Sequence, residues 1–230
     1  ENGVVSLFAY GDVKIDNGSV IANGGLVQVN GTGNVYINNG DITANNGTIN
    51  VIAGQNIEQT NGVLGTETGE VKLTAGQNII LTDGELTAKE ASLTAINGYI
   101  KQNYDNSLDT INGYDIKIID DLSLKAGNGG TDAVETAIDL GSKFNELKDV
   151  VLEATNGDIV VGSGRSTEGA LSITVANEQI VDGNILFHNF DNGVKNDINL
   201  NGTLKAIGNV TVVNDEADIL VDSNGAVEGE

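Results

Sequence analysis

The sequence predicts an all-β chain wound into a parallel β-helix, a solenoid of three-strand coils that repeats every 22 residues or so. Three observations carry that expectation. Apolar positions and Asn-Gly pairs recur at a common spacing, with several columns in phase. Runs rich in Val, Ile, Leu and Thr alternate apolar and polar residues, which is strand periodicity rather than the helical kind. The 230 residues include 31 Gly and no Pro, so turns are plentiful and no strand loses a ladder hydrogen bond.

The columns come first, because an overlooked repeat misassigns the whole fold. Asn17-Gly18, Asn39-Gly40, Asn61-Gly62 and Asp83-Gly84 recur in phase, as do Val13, Val35, Ile57 and Ile79. Asp12, Asn34, Asn56 and Asn78 stand immediately before that second set, and Val20, Ile42, Leu64 and Leu86 form another. Val5, Val27, Ile49 and Val71 run beside Leu7, Val29, Val51 and Leu73. Within one repeat, Val35-Tyr36-Ile37 reads as a strand, Asn39-Gly40 as a turn, and Ile42-Thr43-Ala44 as a second strand. Asn45-Asn46-Gly47 then leads into a third at Ile49-Asn50-Val51. Closing each coil on itself seats every column residue over its counterpart, about 4.8 Å apart. The glycines at 18, 40, 62 and 84 are expected to supply a positive φ, with the Asn or Asp before each tolerating the left-handed region, and Asn34, Asn56 and Asn78 to run an amide ladder up one corner. An antiparallel sandwich or barrel has no reason to keep so strict a phase.

Residues 1–96 are the regular part of a single domain spanning 1–230. Beyond them the alphabet persists and the phase slips, through Asp115-Ile116-Lys117-Ile118, Val151-Leu152-Glu153-Ala154 and Leu171-Ser172-Ile173-Thr174-Val175. More coils with loops inserted at the corners explain this. Residues 101–114 form a polar insertion. In 131–149, Val134, Ala137, Ile138, Phe144 and Leu147 recur at three- and four-residue spacing, which predicts a short amphipathic helix lying on the rod.

Composition narrows the function. A net charge of -22 disfavours nucleic acid and anionic membrane as partners, and no apolar run is long enough to span a bilayer as a helix. No segment reads as a signal peptide. Without Cys there is no disulfide or thiolate site, and His188 and Arg165 are the chain's single His and Arg. Strong negative charge itself keeps a protein with many strand edges soluble.

The repeats Asn50-Val51-Ile52-Ala53-Gly54-Gln55-Asn56-Ile57 and Lys72-Leu73-Thr74-Ala75-Gly76-Gln77-Asn78-Ile79-Ile80-Leu81-Thr82 resemble those of filamentous haemagglutinin-type exoproteins. The resemblance covers residues 1–100 well and 115–225 loosely. It implies a right-handed parallel β-helix, export by two-partner secretion, and a place on the cell surface or outside the cell. The family's Asn-Pro-Asn-Gly export turn cannot occur in a chain without Pro, so the resemblance implies a piece of adhesin shaft. Val5 and Leu7 are already in phase, which fits a coil begun elsewhere or copies stacked end to end into a filament. The expected partners are therefore neighbouring segments, other copies of the chain, and host or surface glycans.

β-Helices also carry polysaccharide lyases and hydrolases, so a carbohydrate-binding or carbohydrate-cleaving groove lined by 101–114, 127–149 and 187–197 is the alternative. Its chemistry would need paired carboxylates, or a base beside bound Ca²⁺. Arg165 sits in a turn-like Gly-Ser-Gly-Arg-Ser stretch, and His188 is expected to face outward without a catalytic partner. Asp115 with Asp120-Asp121, or Asp215 to Asp222, offers oxygen ligands for Ca²⁺, but neither follows an EF-hand or a Gly-Gly-x-Gly-x-Asp repeat. The expectation is a non-enzymatic chain without a required cofactor.

Overall fold

The computed structural model describes residues 3–104, 106, 114–127, 136–154, 157–164, 171–175, 179–181, 183–190, 197–201, 203–215, 217–221 and 226–229. Val13 pairs with Val35, Val35 with Ile57 and Ile57 with Ile79, each in parallel register. The alternating pattern explains why. Inward Val, Ile and Leu are removed from water in every coil, and a one-residue slip would expose the whole set.

A ten-stranded parallel sheet starts at Val4–Ala9 and Leu26–Gly31, and a nine-stranded sheet at Val13–Asp16 and Val35–Asn38. A third, five-stranded sheet runs from Ser19–Ala22 to Tyr114–Ile118. The core is the column set itself: Val29, Val51, Leu73 and Leu93 stack on the first sheet, all fully buried. Val13 is 8% exposed, and Leu7 is only partly buried because nothing lies beneath the first coil among the described residues.

The irregular half keeps the stack but moves one face. A fourth, three-stranded sheet comprises Gln179–Val181, Thr203–Ala206 and Ala226–Gly229. Third-sheet strands follow second-sheet strands along the chain. Gln179–Val181 and Thr203–Ala206 instead fall between a first-sheet and a second-sheet strand, and Ala226–Gly229 likewise follows a first-sheet strand.

The helix expected within 131–149 is overturned. Val134 lies outside the described residues, and Thr136–Leu140 is a strand of the second sheet. A register irregularity between Thr136 and Ile138 turns the adjacent Ala137 and Ile138 both inward. Phe144 is then buried on the turn that follows and Leu147 enters the core after it, so a bulge and a buried turn reproduce helix-like spacing. No helix occurs among the described residues.

Candidate functional site

The predicted corner ladder exists and is longer than expected. The backbone N–H and side-chain amide of Asn34 both donate to Asp12 Oδ1, at 2.8 and 3.3 Å. Asn56 donates both groups to Asn34 Oδ1, and Asn78 both to Asn56 Oδ1, all at 3.1 Å. Tyr99 N–H then donates to Asn78 Oδ1 and ends the run. The same corner, one residue before a second-sheet strand, carries a second ladder in which Asn184 donates to Asp158 and Asn209 to Asn184. Each run starts on Asp for a chemical reason. The lowest rung accepts and never donates, so a carboxylate serves and strengthens the bond, whereas every middle rung needs an amide that does both.

At the tight corners the expectation about glycine holds at Gly62 and Gly84 and is corrected at Gly18 and Gly40. The residue before each glycine is left-handed: Asn17, Asn39, Asn61 and Asp83 have φ between 49 and 58°. Of the four glycines, Gly62 and Gly84 join them at φ 86 and 117°, and Gly18 and Gly40 do not. Asn and Asp bear αL at low cost, and here their side chains also stack, Asn61 Nδ2 donating to Asn39 Oδ1 at 2.9 Å. Gly40 is required by proximity instead, since a Cβ there would lie 2.9 Å from Ile15 O.

The proposed loop groove is described only in part. Residues 107–113, 128–135, 165–170 and 191–196 lie outside the described residues, and Arg165 with them. Tyr104 O–H donates to Asp139 at 2.8 Å, and Asn106 bonds to Gly141 O and Lys143 N–H at 2.7 Å each, strapping this part of the insertion onto the stack. Burial, then the bond to Asp139, then its charge hold the Tyr104 phenol well above its ordinary pKa. Beneath lies a polar pair that sequence reading missed: Gln102 Nε2 donates to Asn145 Oδ1 at 2.7 Å, and Asn145 Nδ2 donates back at 3.0 Å. Asn145 Nδ2 also lies 2.9 Å from Leu140 O and 3.2 Å from Gly162 O, so its two protons are shared among three acceptors and serve backbone carbonyls at an irregular turn from inside. No spacing in the sequence marks such a pair.

His188 lies on the outward row of its strand as expected, but it has a partner. Its Nε2 lies 2.9 Å from Asp215 Oδ1, and its ring stacks on Phe190 with centroids 3.7 Å apart, while Phe187 is wholly buried. The carboxylates considered for Ca²⁺ are distributed differently. Asp120 is paired with Lys89 at 3.2 Å and Lys148 at 3.4 Å, Asp121 stacks against Asp149 on the first sheet, and Asp115 belongs to the third sheet. Among the described residues, no three acidic or His side chains converge as metal ligands would.

Surface recesses occur among the described residues. One, of about 370 Å³, lies over Ile80, Thr82, Tyr99, Lys101 and Asn103. Another, of about 250 Å³, opens on the third sheet at Gly65, between Thr43 and Thr87. Stacked parallel coils, axial amide ladders and an aliphatic core define a β-solenoid repeat protein. No family model, curated protein or solved structure matches the chain.

Proposed function

We propose that this chain is a shaft segment of an extracellular bacterial surface adhesin of the filamentous haemagglutinin type, structural and adhesive rather than enzymatic. The supporting observation is the unbroken axial stack: ten first-sheet strands in one parallel ladder, reinforced at the corner by Asp12, Asn34, Asn56 and Asn78. Such a stack carries load along its axis through backbone hydrogen bonds in every coil, which suits a spacer that holds a contact surface away from a cell. Among the described residues, the terminal first-sheet strands Val4–Ala9 and Ile219–Val221 each have a sheet neighbour on one side only. Their open edges fit further coils of a longer chain or another copy. The carboxylates of Asp12, Asp120 and Asp158 are engaged in ladders and ion pairs, so these three serve structure.

Electron microscopy of the purified protein tests this. Thin rods, alone or joined end to end, are expected. Compact globular particles would overturn the proposal, as would release of unsaturated or reducing products from pectin or alginate.

A further inference from the structure

We propose that the recess at Gly65 binds a neutral hexose unit of a glycan. The outward row of the third sheet reads Ile21, Thr43, Gly65, Thr87, so a glycine interrupts a stack of β-branched residues. Glycine weakens a strand, and there it marks a bulge, a bend, or a close approach by another molecule. Backbone crowding does not require it here. A Cβ at 65 would meet Val63 Cγ1 at 3.2 Å and Thr87 O at 3.5 Å, so a side chain there requires only that the half-buried Val63 give by a few tenths of an ångström. At Gly47, by contrast, a Cβ would fall 1.6 Å from Gly25 O, and no substitution could fit. Position 65, buried at the floor of the recess, therefore admits a side chain once Val63 shifts, and lacks one.

The space left is a recess of about 250 Å³, with Thr43, Val63 and Thr87 as walls and Glu67 and Glu85 as rim. That is slightly smaller than pockets enclosing drug-sized ligands, roughly 300–1,000 Å³, and suits one sugar ring. A hexopyranose presents C–H faces and a rim of hydroxyls. Val63 and the threonine methyls match the first, and the two carboxylates accept hydroxyl protons in charge-assisted hydrogen bonds. Thr87 Oγ1 donates to Glu85 Oε1 and so holds that carboxylate in place. Two acidic rim groups on a chain of net charge -22 repel uronic and sialic acids, which selects a neutral sugar.

The site extends the adhesive part of the proposed function and rests on it. Saturation-transfer NMR with methyl β-D-galactopyranoside, methyl β-D-glucopyranoside and methyl α-D-mannopyranoside tests it, against glucuronate and N-acetylneuraminate. At least one neutral glycoside is expected to bind. Gly65→Thr, which fills the recess, and Glu85→Gln, which removes one acceptor charge, should each weaken it about tenfold or more. Circular dichroism of Gly65→Thr should match the wild type, and the rim variant Glu85→Gln decides the matter if that protein folds poorly. Binding of no neutral glycoside, binding left intact in both variants, or binding of acidic sugars alone overturns the site. Micrographs of the same samples separate the two proposals: rods that bind no hexose refute the recess and leave the shaft standing.

Discussion

Asn56 shows what a single residue contributes to this architecture. It accepts two hydrogen bonds from Asn78 in the coil above and donates two to Asn34 below, so it joins three coils. Asn56→Ala leaves the half-buried Asn78 N–H without its acceptor, and urea denaturation should register a loss of about 1–3 kcal/mol. Leu73, fully buried between Val51 and Leu93, contributes through packing instead. Leu73→Ala should cost about 2–5 kcal/mol by the same measurement, since rigid neighbouring coils cannot collapse into the cavity. Both residues were legible in the sequence because identical side chains recur where the coil length is constant. The second ladder was not. Asp158, Asn184 and Asn209 do the same chemistry at spacings of 26 and 25 residues, and insertions hide the phase that exposed the first ladder. The φ of the corners was half legible: the Asn-Gly pair is visible, but which member goes left-handed depends on the stack above and below it.

At the level of elements, the corner ahead of three successive first-sheet strands carries an ionic counterpart to the amide ladder. Lys89, Asp120 and Lys148 immediately precede Glu90–Ala95, Asp121–Ala126 and Asp149–Ala154 in three successive coils. The charges alternate along the axis, and Asp120 bridges both lysines. The hydrogen bond from Lys89, helped by Lys148, holds the Asp120 carboxyl below its ordinary pKa, and the bonds to Glu90 and then Asp120 raise that of Lys89. A lowered carboxyl pKa gives stability that is present above the ordinary carboxylate pKa and lost as pH falls through the lowered value. A raised ammonium pKa gives stability that is present below the ordinary lysine value and lost as pH rises through the raised one. The cluster therefore acts between those limits. Lys89→Met should move the Asp120 titration upward, as read by carbon-13 NMR, and added salt should shrink the difference because the groups are exposed. The sequence misled most at the element between 136 and 149. Ala137 and Ile138 are buried side by side at an irregular register, and Phe144 and Leu147 are buried on and just after the turn that follows. Three- and four-residue spacing identifies a helix only where the backbone is regular, and here tertiary packing produced the same spacing without one.

The whole molecule behaves as a stack in which each coil touches only its neighbours, and this makes it editable in units of one repeat. Deleting residues 35–56 joins Asn34 to Ile57, seats Ile57 on Val13 and brings Asn78 over Asn34. Every inward column and the corner ladder keep their phase, because the removed segment equals the 22-residue offset of the Asn34–Asn56 and Asn56–Asn78 bonds. The shortened chain should keep its β-sheet circular dichroism and unfold cooperatively, with a rod shorter by about 4.8 Å in small-angle scattering. Deleting residues 35–45 removes about half a coil and places the polar Asn46 where Val35 sits in the core. That chain should unfold or aggregate, because apolar columns would meet corner residues and exposed strand edges would remain. The pair of deletions separates vertical registry from composition as the cause of the fold, since both products draw on the same repetitive set of residues. Equal stability of the two would mean that registry does not hold the rod together, and the load-bearing role argued from it would fall as well.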